Sequence, residues 1–196
     1  LVSDGGVHGH IAHIAAAARV IAEAGVPVVL HAMTDGRDVS PKSARTHLAN
    51  LSDMLPGSVR IATVTGRYFA MDRDNRWDRV QEAYEAITAA KGLRASDART
   101  AVTNAYARSE TDEFITATVI GDYAGVATGD GLFCLNFRAD RAREILQALV
   151  DPGFSAFDRE VVPDWAARLG MVEYSEAHNA WFETVFPPRV IVNTLA

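Results

Sequence analysis

Cysteine is nearly missing from this chain: Cys134 is the only one among 196 residues. A lone thiol excludes an internal disulfide and fits a reducing compartment. Its place in the apolar run Leu132-Phe133-Cys134-Leu135 reads as buried filler rather than as a nucleophile. Lysine is almost as scarce, with only Lys42 and Lys91 among nineteen basic residues, so cationic chemistry falls to arginine. The net charge of −6 argues against a general nucleic-acid binder, which needs a basic face. No run of eighteen apolar residues is present, which excludes a membrane-spanning helix, and no signal peptide is visible. A cytoplasmic location is expected. The GxxxxGK(S/T), GxGxxG and GxSxG patterns are absent too, so nucleotide binding lacks its usual support. The chain opens Leu1-Val2-Ser3 without methionine, which reads as the cut edge of a longer protein.

What remains is an ordinary globular composition, 48% hydrophobic and 22% charged. A chain of this length can bury roughly 70% of its unfolded surface without a disulfide or metal staple. Short apolar runs alternate with amphipathic stretches. Ile11, Ile14, Ala15, Ala18, Ile21 and Ala22 recur at helical spacing, and Gly25 stops that helix. Strands are expected over 28–33, 59–65, 131–137 and 169–174. Helices are expected from Ser40, as N-cap with Pro41 behind it, to Leu55, and over 78–91, 98–108 and 139–150. The alternation indicates one α/β domain over residues 1–196, a three-layer α/β/α sandwich around a mostly parallel central sheet.

Four polar clusters follow apolar runs or open the chain: Asp4 to His8, Asp35 to Asp38, Arg67 to Arg76, and Arg138 to Arg141. A parallel sheet sends its βα loops to one end, so these clusters are expected to share a crevice. Arginine grips phosphate and carboxylate bidentately, which suits a small, doubly anionic ligand. Glycine precedes arginine in Gly36-Arg37-Asp38 and in Gly66-Arg67, allowing close backbone approach. Asp38 is placed to orient or deprotonate a hydroxyl, and ion pairing with a neighbouring arginine is the plainer alternative. His8 ends a glycine turn at a helix start, where a phosphoryl group can be bound or protonated. His10 and His13 invite a metal reading, but no HExxH pattern accompanies them.

The strings Ser3-Asp4-Gly5-Gly6-Val7-His8, Asp35-Gly36-Arg37-Asp38, Gly66-Arg67-Tyr68 with Met71 to Trp77, and Asn136-Phe137-Arg138-Ala139-Asp140-Arg141 occur here in order. Together they closely resemble the phosphotransferase domain of the cofactor-independent (2,3-bisphosphoglycerate-independent) phosphoglycerate mutase family. Ser109 to Phe114 and the Phe186-Pro187-Pro188 turn extend the resemblance through nearly the whole chain. The resemblance implies an isomerase that interconverts 3-phosphoglycerate and 2-phosphoglycerate in glycolysis and gluconeogenesis. It implies a substrate cradle of His8, Arg37, Asp38, Arg67, Arg73, Arg138 and Arg141. In it, Asp38 would activate the glycerate hydroxyls and His8 would assist near the phosphate. Arg76 and Arg79 fall outside the implied set and are expected to pair with Asp72, Asp74 or Asp78.

One departure is Gly9, where relatives usually carry serine. A larger one is that the family's phosphatase-like domain is expected before and after this segment, with its nucleophilic serine and two divalent metal ions, manganese by implication. No metal site is expected in this chain, which alone is expected to bind phosphoglycerate without catalysing the mutase reaction. Two competing readings are a free-standing small-anion binding module and a metal-dependent hydrolase built on Asp4, His8, His10 and His13.

Overall fold

The computed structural model describes residues 1–188; positions 189–196 of the expected single domain lie outside the described residues. Helix α1 (Ile11–Glu23) buries Ile11, Ile14, Ala15 and Ala18, one stripe at the spacing of successive turns. Its N-cap is His10, whose Nδ1 accepts from the Ala12 amide at 3.1 Å. Strand β1 (Val29–Thr34) runs parallel to β2 (Arg60–Gly66), paired from Val29–Arg60 to Thr34–Gly66 with a register shift between Leu30 and His31. The two strands therefore end side by side, and Asp35 and Arg67 are the first residues beyond them.

Helix α2 (Ala44–Met54) links the pair. It starts later than its Ser40-Pro41 signal predicts, because its cap comes from elsewhere. Asp112, fully buried in a 3-10 turn (Asp112–Phe114), accepts from the amides of Ser43 and Ala44 at 2.7 and 2.8 Å. A charged acceptor at the positive end of a helix is favourable. No reading of local sequence can find a cap that lies 69 residues away.

After β2 come a single-turn helix α3 (Arg67–Ala70), α4 (Trp77–Ala89), β3 (Leu93–Ala95), α5 (Ala98–Ala107) and β4 (Thr118–Ile120). The chain continues through β5 (Gly131–Cys134), α6 (Arg143–Val150), β6 (Ala167–Gly170) and β7 (Glu183–Thr184). Parallel pairings predominate, as the alternating pattern predicts. The expected α/β sandwich with mostly parallel strands stands, and its strands divide between two sheets. The described strands form one sheet ordered β1-β2-β4-β3 and another ordered β5-β6-β7, and β4 lies antiparallel to β2. Strands β3 and β4 have three residues each, too few for periodicity to show.

Two main cores follow. Ile14, Leu48, Leu51, Val64 and Val102 unite α1, α2 and α5 with the first sheet. Val80, Tyr84, Ile145, Leu149, Trp165, Tyr174 and Phe182 pack α4 and α6 into the second. Cys134 borders this second core, and burial pushes its thiol pKa up, which suits filler rather than a nucleophile.

Candidate substrate cradle

Asp35 and Arg67 leave the paired ends of β1 and β2 and are both nearly inaccessible, at 1% and 3%. The Arg67 Nη1 donates to Asp35 Oδ1 at 2.7 Å and to Asp38 Oδ2 at 2.6 Å. Asp35 also accepts from the Ser3 hydroxyl at 2.7 Å and from the amides of Arg37 and Asp38 at 3.2 and 3.0 Å. These amide bonds wrap the chain into a tight turn around the carboxylate. Burial alone would raise the Asp35 pKa, but the Asp38 amide, Ser3 and Arg67 outweigh it and hold the group below its usual value. Burial likewise opposes the Arg67 charge, and its bonds to Asp38 and Asp35 more than offset that.

The turn needs its glycine. Gly36 has φ +68, and a Cβ there would meet the Asp112 Cβ and the Glu113 amide at 2.8 Å. Gly66 is pressed harder still, since its Cβ would lie 2.4 Å from the Glu113 carbonyl oxygen. Both glycines let the 3-10 turn close over the strand ends, leaving Arg37 exposed with Nη1 3.5 Å from Glu113.

His8 faces this turn from the opening loop. It is 2% exposed, with Nε2 4.0 Å from Asp38 Oδ2 and Nδ1 3.8 Å from Asp140 Oδ1. Both separations exceed a hydrogen bond, and Nδ1 has no partner among the described residues. Burial first, then the Arg67 charge, lowers its pKa to about 4, so the ring is neutral at pH 7.

The remaining wall comes from the segment after β5. Although β5 belongs to the other sheet, the Phe137 amide donates to the His8 carbonyl at 2.8 Å and fixes this segment beside the opening loop. Asp140 accepts from Arg73 at 2.8 Å and from Arg138 at 2.9 Å. Arg141 donates to the Met71 carbonyl at 3.1 Å. Its pKa is lowered by burial first, and then by the guanidinium groups of Arg73, Arg67 and Arg37. Cations from three separate loops therefore converge on one region.

Every residue of the implied cradle thus lies here, in two layers. Arg67 is the buried brace behind Asp38; Arg37, Arg73 and Arg138 are about half-exposed at the rim. Arg76 and Arg79 turn away toward Asp72 at 3.5 and 3.6 Å, and Arg79 stacks over the Tyr68 ring at 3.8 Å. Asp35 and Asp140 organise the ion pairs of this region, and sequence reasoning passes over both. Asp140 lies inside the Arg138–Arg141 string, and Asp35 begins the turn, yet nothing in spacing marks either as the centre of an ion cluster. Of the histidines that invite a metal reading, His10 serves as the cap of α1, its Nδ1 engaged by the Ala12 amide.

Residues 1–176 match the family model described as BPG-independent PGAM N-terminus. The chain belongs to that family. The 2,3-bisphosphoglycerate-independent phosphoglycerate mutases of Ruegeria pomeroyi and Dinoroseobacter shibae are 65% and 63% identical to it over 195 residues. Each match spans this whole chain but only 39% of the relative's length. A solved structure of Leishmania mexicana phosphoglycerate mutase, obtained at low cobalt concentration, aligns with a TM-score of 0.89 at 27% identity. It covers 98% of this chain and 38% of that one. The mutase-family N-terminal fold therefore extends across almost the full chain, and the cradle lies within the matched residues.

Proposed function

We propose that this chain is the phosphoglycerate-holding half of a mutase that interconverts 3-phosphoglycerate and 2-phosphoglycerate. The observation that carries the reading is the convergence of Arg37, Arg67, Arg73 and Arg141 around a carboxylate, Asp38, and a neutral buried histidine, His8. A phosphoglycerate carries a carboxylate, a phosphate and a free hydroxyl. Arginine forks suit the first two and a carboxylate suits the third.

In this reading Arg37, Arg73, Arg138 and Arg141 neutralise and orient the ligand's two anionic ends. Asp38 accepts the proton of the glycerate hydroxyl as that oxygen becomes the phosphoryl acceptor. Arg67 fixes the carboxylate's direction through its bond to Asp38 Oδ2. The unpartnered His8 Nδ1 offers a hydrogen bond to a ligand oxygen, because a buried ring nitrogen is expected to have a partner.

Covalent phosphoryl transfer needs a nucleophile, and the family's phosphatase-like domain with its two divalent cations, manganese among the candidates, would provide it. The described residues hold no donor set fit for such a centre. The chain alone is expected to bind phosphoglycerate without turning it over, in a cytoplasmic setting. Isothermal titration with 3-phosphoglycerate tests the reading, repeated on Arg73→Ala. Saturable binding lost in the variant supports it, and unchanged binding in the variant overturns it.

A further inference from the structure

Beside the cradle lies a second cleft of about 370 Å³, lined by Arg73, Asn75, Asp140, Glu144 and His178 among others. One atom in its wall is not explained by anion binding. Glu144 is 8% exposed; its Oε1 accepts from the Asn75 amide at 3.0 Å, while Oε2 is buried and no donor among the described residues reaches it. The neighbouring group is a second carboxyl, Asp72, at 4% exposure. Asp72 Oδ2 accepts from the amides of Asp74 and Arg76 at 2.9 Å each, and its Oδ1 faces Arg76 and Arg79. Were both acids ionised, two like charges would be buried together with arginines on one side only. A proton on Glu144, donated to Asp72, removes the repulsion and satisfies the orphan oxygen at once.

We propose that Glu144 is a positioning residue for Arg73: as a neutral acid bonded to Asp72, it clasps the Met71–Arg76 loop to the segment that carries Arg138 and Arg141. Contacts joining these segments include Arg73 to Asp140, Arg141 to the Met71 carbonyl, the Asn136 side-chain amide to the Met71 sulfur, and Glu144 to the Asn75 amide. Asn75 sits at φ +58, in the left-handed region that asparagine tolerates better than most side chains, and this turn presents its amide to Glu144. The charged groups facing the pair are Asp74, Arg76 and Arg79 from the loop and α4, Arg143 from α6, and Arg73 and Asp140 around the cleft, with the titratable His178 there held neutral by burial. Burial first, and the Asp72 charge after it, raises the Glu144 pKa. Asp72 lies below its usual value because the loop amides and the Glu144 bond outweigh its burial. The clasp is therefore complete below the Glu144 pKa and is lost as pH rises through it.

The affinity readout rests on the phosphoglycerate reading; a second readout does not. The wild-type chain, Glu144→Gln and Glu144→Ala are compared across mildly acid to alkaline pH by amide hydrogen exchange at Asn75 and by titration with 3-phosphoglycerate. With rising pH the wild type should lose about tenfold in Asn75 protection and in affinity, the scale of one lost charge-assisted hydrogen bond. Glutamine, a permanent donor to Asp72, should hold both nearly constant, and alanine should be weak throughout. Glutamine behaving like alanine, or sharing the wild-type pH profile, overturns the proposal. If Glu144→Ala does not fold, the comparison of wild type with Glu144→Gln decides alone. If the wild type binds no 3-phosphoglycerate, the functional reading fails, and Asn75 protection still decides the role of Glu144.

Discussion

Arg67 Nη1 bridges two carboxylates at once, standing 2.7 Å from Asp35 Oδ1 and 2.6 Å from Asp38 Oδ2. Asp35 in turn gathers the Arg37 and Asp38 amides and the Ser3 hydroxyl, so one buried carboxylate aims both residues of the Arg37-Asp38 pair. The buried half of the cradle is thereby stiff before any ligand arrives. Such preorganisation lowers the ordering cost of binding.

Replacing Asp35 by Asn should unbalance this cluster. Arg67 would keep one ionised partner instead of two, and the turn amides would face a neutral acceptor. A loss of about 2–3 kcal/mol is expected from breaking one arm of a buried charged network. Urea denaturation at neutral pH measures it, and an unchanged midpoint would contradict the assignment. The Asp35 pKa is depressed, so its contribution exists above the unfolded carboxylate value and vanishes as pH falls through the folded one. The gap between wild type and variant should therefore narrow in acid.

His8 should titrate far from ordinary histidine. Its folded pKa near 4 lies below the unfolded 6.5, so the unfolded chain takes up this proton first. Its contribution to stability is full above 6.5, falls with pH through the window down to about 4, and is constant below that. A phosphate bound beside the ring favours the charged form, so binding near the middle of that window should draw in a proton. Histidine NMR with and without 3-phosphoglycerate reads both effects. A His8 titration near 6.5 in the free chain would remove this prediction.

How much of this was legible beforehand divides by distance along the chain. Helix α1, the β1–β2 run and the cradle arginines carry local marks: a stripe of Ile and Ala, apolar runs, and glycine beside arginine. The cap of α2 is not local, because Asp112 arrives from another segment, and the Ser40-Pro41 signal pointed too early. Helix α6 likewise begins at Arg143 rather than at 139, since Arg138, Asp140 and Arg141 are engaged in cradle contacts. The second sheet was not legible either: strand patterns report burial, not which strand lies alongside. Asp35 and Glu144 look like any other acids in sequence, and only their neighbours in space give them roles.

Gly66→Ala tests the close approach of the 3-10 turn to the end of β2. The added methyl would lie 2.4 Å from the Glu113 carbonyl oxygen and 2.6 Å from the Ile115 amide, both backbone atoms that cannot swing aside. Gly66 also donates its amide to the Ile115 carbonyl at 2.7 Å, so relief would break a buried bond. A destabilisation of about 1–3 kcal/mol is expected, the range of overpacked sites. A thermal melt checks it. A variant as stable as the wild type would mean that the turn shifts freely, and the seating of Arg67 would then rest on its ion pairs alone.

Arg141 offers the clearest separation of binding from stability. Its charge is opposed by burial and by three other guanidinium groups, and among the described residues its one side-chain hydrogen bond goes to the Met71 carbonyl. Cations crowded without enough anions raise the energy of the free chain and are relieved by an anionic ligand. Arg141→Met should therefore leave the free chain about as stable as wild type at low salt, within about 0.5 kcal/mol. The ligand's effect should change far more. At a hundredfold excess over its dissociation constant, 3-phosphoglycerate should stabilise the wild type by about 2.7 kcal/mol. The variant should lose most of that shift at the same ligand concentration. Paired thermal melts with and without ligand make the measurement. A variant that is much less stable but keeps its full ligand shift would place Arg141 in the scaffold instead of the cradle.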